Sequence, residues 1–295
     1  MQLENDLYSI DKKLLVRAGQ IINSNTLKNI SCLSGKISYI RIKDTRLMKD
    51  MMQIFKDKRY SNIFYPPEIN AKIISHIRRL AMPKKILSEI AQMKKMMPYT
   101  YHLSLTIAIL AAKISLNDSL KNKYSPDIAM ILCLVHDLGK SRLPLSILNK
   151  RSPITIDERN ILRTHPLIGY ILLHYYFGSD HKKYDFSPFQ HHQRLDGSGY
   201  PLGIRRLNKY SPLIGMVDAL DALISDRPYR KNPFTLRAAI DYLLEESEKG
   251  KFHKGLIRIL IRYSRKEGPA TKLIIGKRGR DKEPMGNFYG KTATA

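Results

Sequence analysis

Ser125-Pro-Asp-Ile128-Ala-Met-Ile-Leu-Cys133-Leu-Val135-His136-Asp137-Leu-Gly139-Lys140 is the stretch on which the reading of this chain turns. A serine able to cap, followed by a proline suited to the first turn, predicts a helix opening at Ser125-Pro126 and running through Asp137. Residues 128–135 are apolar on every side, so that helix belongs in a core and not on a surface. It ends on an imidazole beside a carboxylate. Two ionisable groups at the edge of a buried helix are unfavourable unless paired or metal-bound, and both are good first-row metal ligands. Taken alone, the pair also fits a satisfied core histidine.

Working outward, more groups of the same kind stand beside buried segments. His165 sits in Thr164-His165-Pro166, and His191-His192 precede a glycine-rich turn, Asp196-Gly-Ser-Gly199-Tyr200-Pro201. Asp218 interrupts the apolar run 213–223 and shares a helical face with Asp221. His102 precedes the apolar run 103–112. Together these histidines with Asp137 and Asp218 exceed what one metal needs and suit two metals sharing a carboxylate, an arrangement fitted to phosphoryl chemistry. Lys140, one turn after His136, is placed to neutralise a phosphate oxygen.

The ordered set His136-Asp137-Leu-Gly-Lys140, Thr-His165-Pro, His191-His192-Gln-Arg-Leu-Asp196-Gly-Ser-Gly199-Tyr200-Pro201 and Asp218-Ala-Leu-Asp221-Ala-Leu-Ile-Ser-Asp-Arg227-Pro-Tyr-Arg230 resembles the signature stretches of the HD-GYP phosphodiesterases, over roughly residues 95–260. The resemblance implies an HD-type helical bundle. It implies metal ligation by His102, His136, Asp137, His165, His191, His192 and Asp218, with Asp137 as bridge and, with Lys140, as a catalytic residue. Lys140, Arg194, Gly199, Tyr200, Pro201, Arg227 and Arg230 fall on the substrate side. The implied cofactor is a pair of divalent ions, iron or manganese, and the implied reaction is attack of a metal-bridged hydroxide on a cyclic dinucleotide, cyclic di-GMP first, giving linear dinucleotide or GMP. Two departures stand out: Gln193 where the family has a glutamate after the paired histidines, and Pro98 where some members carry a glutamate for a third metal. Two alternatives remain open: a cyclic-dinucleotide receptor without turnover, or a phosphohydrolase acting on another nucleotide.

The chain has 295 residues, 43% hydrophobic and 26% charged, which predicts a catalytic domain plus something smaller. The expected fold is mainly α, with residues 1–66 as a small α+β module for regulation or dimerisation, 67–265 as the helical catalytic domain and 266–295 as a basic irregular tail. In the first unit, strand-like stretches at 13–16 and 37–42 lie between turns. After Pro66-Pro67 helical spacing dominates, with a capping box at Thr155 and Glu158, a helix from Ser211-Pro212 to about residue 223, and irregularity from Arg262 onward. His76, His174, His181 and His253 read as surface or packing residues.

A formal charge of +25 favours anionic partners, but it is spread along the chain, so a solvated basic surface explains it and nucleic acid is disfavoured. Two cysteines, no signal-like N-terminus and apolar runs too short to span a bilayer predict a cytoplasmic protein with no membrane span. A homodimer is compatible with the sequence and not required by it.

Overall fold

A computed structural model describes residues 1–65, 67–120, 122–150, 152–184, 187–226 and 233–265. The helices in chain order are α1 (Ser24–Cys32), α2 (Arg46–Gln53), α3 (Glu68–Arg79), α4 (Lys84–Met96), α5 (Pro98–Ser115), α6 (Pro126–Val135), α7 (Leu145–Leu148), α8 (Ile156–Leu162), α9 (His165–Phe177), α10 (Ser187–Gln190), α11 (Ser211–Ile224), α12 (Leu236–Glu248) and α13 (Lys254–Ser264). Two short antiparallel ribbons accompany them: β1 (Leu7–Tyr8) with β2 (Leu14–Val16), and β3 (Tyr39–Arg41) with β4 (Ala81–Pro83). The second ribbon joins the N-terminal region to the start of the helical one, pairing Tyr39 with Pro83 and Arg41 with Ala81.

The centre is α5 against α6. Every residue of α5 from Leu103 to Ser115 is buried, as is α6 from Ala129 to Val135. Helices apolar on all sides need cover on all sides, and α3, α4, α11 and α13 supply it around α5. The buried apolar residues form one cluster running from Leu3 to Ile261, so the N-terminal region shares the core of the helical region. No helix of the described residues is long and apolar enough to cross a membrane.

Local chemistry explains most boundaries. Ser125 caps α6, Pro126 occupies its first turn, and Thr155 and Glu158 form a reciprocal capping box on α8. Helix α6 ends at Val135, short of the expected Asp137. His136 becomes its C-cap and Leu138–Arg142 tightens into a 3-10 turn. Gly139 explains the tightening: a Cβ there would stand 2.0 Å from the His165 carbonyl oxygen and 2.5 Å from the Gly169 nitrogen, so this turn runs backbone to backbone against α9. Helix α13 continues through Arg262 to Ser264, beyond the expected onset of irregularity, because Leu256, Ile257, Leu260 and Ile261 keep a buried stripe going. The tail 266–295 lies outside the described residues.

Lys113, fully buried in α5, is an oddity of this core. Its ammonium lies 4.8 Å from the Tyr263 ring centroid and 3.5 Å from the Tyr65 carbonyl, with no carboxylate partner among the described residues. Burial pushes its pKa down to about 8, from an ordinary 10.5. A depressed folded-state value means that the unfolded chain holds the extra proton, so stability rises as pH climbs from about 8 towards 10.5. Lys113→Met is expected to remove that rise and to stabilise the protein at neutral pH by about 1–3 kcal/mol. Urea titrations at several pH values test this, and a less stable Met variant would contradict it.

Candidate metal centre

Three histidines are held by one local device. His136 Nδ1 lies 2.7 Å from the Cys133 carbonyl, His165 Nδ1 2.6 Å from that of Leu162, and His191 Nδ1 2.5 Å from that of Pro188, each three residues back. The Nδ1–H donates to the carbonyl, which leaves the Nε2 lone pair pointing away from the backbone and fixes both tautomer and ring direction. His192, in the turn after α10, differs. Its Nδ1 faces Asp218 Oδ2 at 4.0 Å.

These rings converge on Asp137. Its Oδ1 lies 3.2 Å from His165 Nε2 and 3.8 Å from His191 Nε2, while its Oδ2 lies 3.2 Å from His136 Nε2 and accepts from Lys140 Nζ at 2.5 Å. Asp218, on α11, brings Oδ1 to 3.8 Å from His136 Nε2. One ligand atom each from Asp137, His165, His191 and His192 fits within 4.8 Å of the others. Asp137 is therefore the hub, one oxygen towards each set of histidines.

Electrostatics follows from this crowding. Burial works to raise the Asp137 carboxyl, but the charges of His136 and Lys140 hold it well below the usual carboxylate range. Burial lowers His165, and it drives His191 and His192 well below 6.5 with help from neighbouring rings. His136 goes the other way: burial lowers it, yet Asp137 and Asp218 outweigh burial and raise it. At neutral pH the site offers a carboxylate and at least three neutral imidazoles, the protonation states that metal binding needs.

The site is unfinished as a hydrogen-bonded network. His136 Nε2 and Asp137 Oδ1 are buried without an aligned hydrogen bond, despite close neighbours at 3.2 Å. Buried polar atoms are normally satisfied, and a cation among them would satisfy both. The nitrogen and oxygen donors, with no thiolate, fit a divalent first-row ion.

Other expected residues divide. Gly199 presses on the ligand segment, where a Cβ would lie 2.3 Å from the His192 carbonyl. Tyr200 stacks on the His192 ring, centroids 4.6 Å apart and planes 22° apart, ahead of a cis bond to Pro201. Arg194 points elsewhere: Nη1 donates to the carbonyls of His191 and Gln193, and the guanidinium lies over Phe252. His102 is exposed on α5 and is not among the converging ligand atoms. Asp221, the face-mate of Asp218, accepts instead from Tyr60 and Ser225. Arg227 and Arg230 lie outside the described residues. Among the remaining histidines, His76 pairs with Asp127 at 2.6 Å, His174 meets Ser31 at 3.0 Å and His253 caps α13.

Sequence reasoning missed several supports. Arg163 lies 5.2 Å from the Tyr200 ring, and its place two residues before His165 was the available signal. Buried Glu89 on α4 holds Arg142, Nη1 to Oε2 at 3.1 Å, and accepts from Tyr176 of α9, pinning the turn that follows Asp137. Nothing local in Ile86–Ile90 marks Glu89 for that task.

A family model described as HD domain matches residues 85–255, more than half of the chain. The chain belongs to the HD domain family. This HD-domain chain is 40% identical over 114 residues to the cyclic di-GMP phosphodiesterase response regulator RpfG of Xanthomonas campestris pv. campestris, a match covering 37% of this chain and 29% of that protein. It is 28% identical over 212 residues to the cyclic di-GMP phosphodiesterase PA4108 of Pseudomonas aeruginosa, covering 68% and 48%. It is 30% identical over 133 residues to the 3'3'-cGAMP-specific phosphodiesterase 1 of Vibrio cholerae, covering 44% and 30%. The chain thus spans less than half the length of these relatives.

Two outcomes follow from the geometry. Gly139→Ala should destabilise the protein by about 1–3 kcal/mol in denaturant titration and lower metal content, because the displaced atoms include the backbone of His165. The three lowered histidines contribute stability that is present above 6.5 and lost as pH falls through their folded values; raised His136 contributes with the opposite sign. With three against one, the denaturation midpoint of metal-free protein should fall between about pH 7 and about pH 5. A midpoint that climbs on acidification would contradict this balance.

Proposed function

We propose that the chain is a metal-dependent phosphodiesterase that opens a cyclic dinucleotide, with cyclic di-GMP as the leading substrate. The observation that carries this reading is the buried Asp137 carboxylate with Oδ1 towards His165 and His191 and Oδ2 towards His136. A carboxylate so placed suits two ions that share it, one with His165, His191 and His192, the other with His136 and Asp218. His102 would join only by turning inward from its exposed position on α5. The donor set suits several divalent first-row ions, and iron or manganese is proposed on the strength of the sequence resemblance. When bound, such ions supply an acidified water and a Lewis acid for the phosphate oxygens.

The chain's own residues do the rest. Carbonyl-anchored histidines hold their Nε2 atoms in place before any ligand arrives, which lowers the reorganisation needed at the reacting centre. Lys140 stands at Asp137 and offers its ammonium to a phosphate oxygen. The Tyr200 ring keeps His192 from swinging towards solvent and forms the wall beside the site. Arg227 and Arg230 complete the proposed phosphate contacts on the strength of the sequence resemblance. Relatives named for cyclic di-GMP and for 3'3'-cGAMP support the substrate class. Residues 1–66 are proposed as a regulatory or dimerisation module and the compartment as the cytoplasm.

Anaerobic incubation of metal-analysed protein with cyclic di-GMP and, separately, 3'3'-cGAMP tests the reading, with products resolved by chromatography. Linear dinucleotide or mononucleotide is expected from the wild type. Asp137→Ala should lose more than the about 10–100-fold typical of residues one contact further from a metal. Tight binding without turnover would replace this reading with a receptor, and an absence of both would reject the substrate class.

A further inference from the structure

Beside the ligand-bearing turn, on the side facing residues 251–253, lies a cavity with about 10 Å³ of free volume. Its lining includes Gln193, Arg194, Ser211, Lys251, Phe252 and His253, and no acidic residue lines it. Gln193 is 3% exposed, and neither atom of its amide has a hydrogen-bond partner. Arg194 spends Nη1 on two carbonyls, at 3.2 Å to His191 and 2.9 Å to Gln193; Nε and Nη2 have no partner among the described residues, and no carboxylate pairs with it. His253 accepts the Leu256 N–H at Nδ1, which leaves Nε2–H as the donor of its neutral ring. Lys251 pairs at 2.5 Å with Glu246, a carboxylate it shares with Lys249 at 2.9 Å, and the Ser211 hydroxyl donates to Gln190 at 3.1 Å.

We infer that this cavity binds a single small monovalent anion of halide size. A water would satisfy the Gln193 amide but would leave the guanidinium, on which Asp218 and Asp196 act only from beyond ion-pair distance, without an anion in contact, and buried cations are normally paired. An anion accepts from the free Arg194 and Gln193 N–H groups together, and it supplies the missing charge. The free volume of about 10 Å³ is small, which favours a monatomic anion over a phosphate. Arg194 clamps the carbonyls of His191 and Gln193, so an anion that holds Arg194 also steadies the turn carrying His191 and His192. The inference is independent of the proposed phosphodiesterase activity and needs no substrate.

The test is calorimetry of the full chain at constant ionic strength, with sodium gluconate replaced stepwise by sodium chloride or sodium bromide. A saturable rise in Tm of about 2–4 °C is expected for both halides. Gln193→Glu places a carboxylate beside Arg194 and should abolish the response. In crystals of the wild type grown in bromide, an anomalous peak should lie in the cavity, a readout that requires no variant. Equal Tm in gluconate and halide, a response retained by Gln193→Glu, or an ordered water only in the cavity would each overturn the inference.

Discussion

A buried carboxylate surrounded by imidazoles is the constraint on which this structure depends. Asp137 is 1% exposed, and its ionised form is held there by His136 and Lys140 against the full penalty of burial. That balance requires the neighbours to be exact in position. Three of the four histidines around it are anchored through Nδ1 to the carbonyl of the residue three positions earlier. Each ring is thus oriented by its own local backbone, and the tertiary fold has only to bring three rigid units together.

Bringing them together is the work of close backbone packing and buried polar clamps. The turn after Asp137 runs against α9 where Gly139 has no side chain, and this sets the distance from His165 to Asp137. Glu89, Arg142 and Tyr176 fix the far end of the same turn to α4 and α9, and Arg142 also donates to the Tyr8 carbonyl of the first ribbon at 2.9 Å. On the other flank, Tyr60 from the N-terminal region donates to Asp221, one turn beyond Asp218, and Arg59 reaches Ser225 at 2.6 Å. Residues before Pro66 therefore touch the helices that carry the site on both sides. The module and the bundle share a core and a polar network.

The basic composition takes on meaning only in this frame. Most of the surplus charge is surface, yet a few cations are placed against the centre: Lys140 on Asp137, Arg163 over Tyr200 and Arg194 beneath the His191 carbonyl. Each occupies a different layer around one buried anion.

Sequence alone pointed to the helical class, a buried α6 leading up to His136-Asp137, the capped starts of α6 and α8, the HD family, and the side chains of Asp137, His165, His191 and His192 that the fold brings together. These were legible because capping, apolar periodicity and short motifs act within a few residues. Tertiary structure decided the rest: that α6 stops before His136, that Asp137 faces two sets of histidines, that Asp221 serves Tyr60, that Arg194 turns to Phe252 and that His102 stays outside the cluster. Those outcomes depend on contacts between residues far apart in the chain, such as Gly139 with His165 or Glu89 with Arg142, and no local pattern encodes which distant backbone will press against a glycine or which distant carboxylate will meet an arginine.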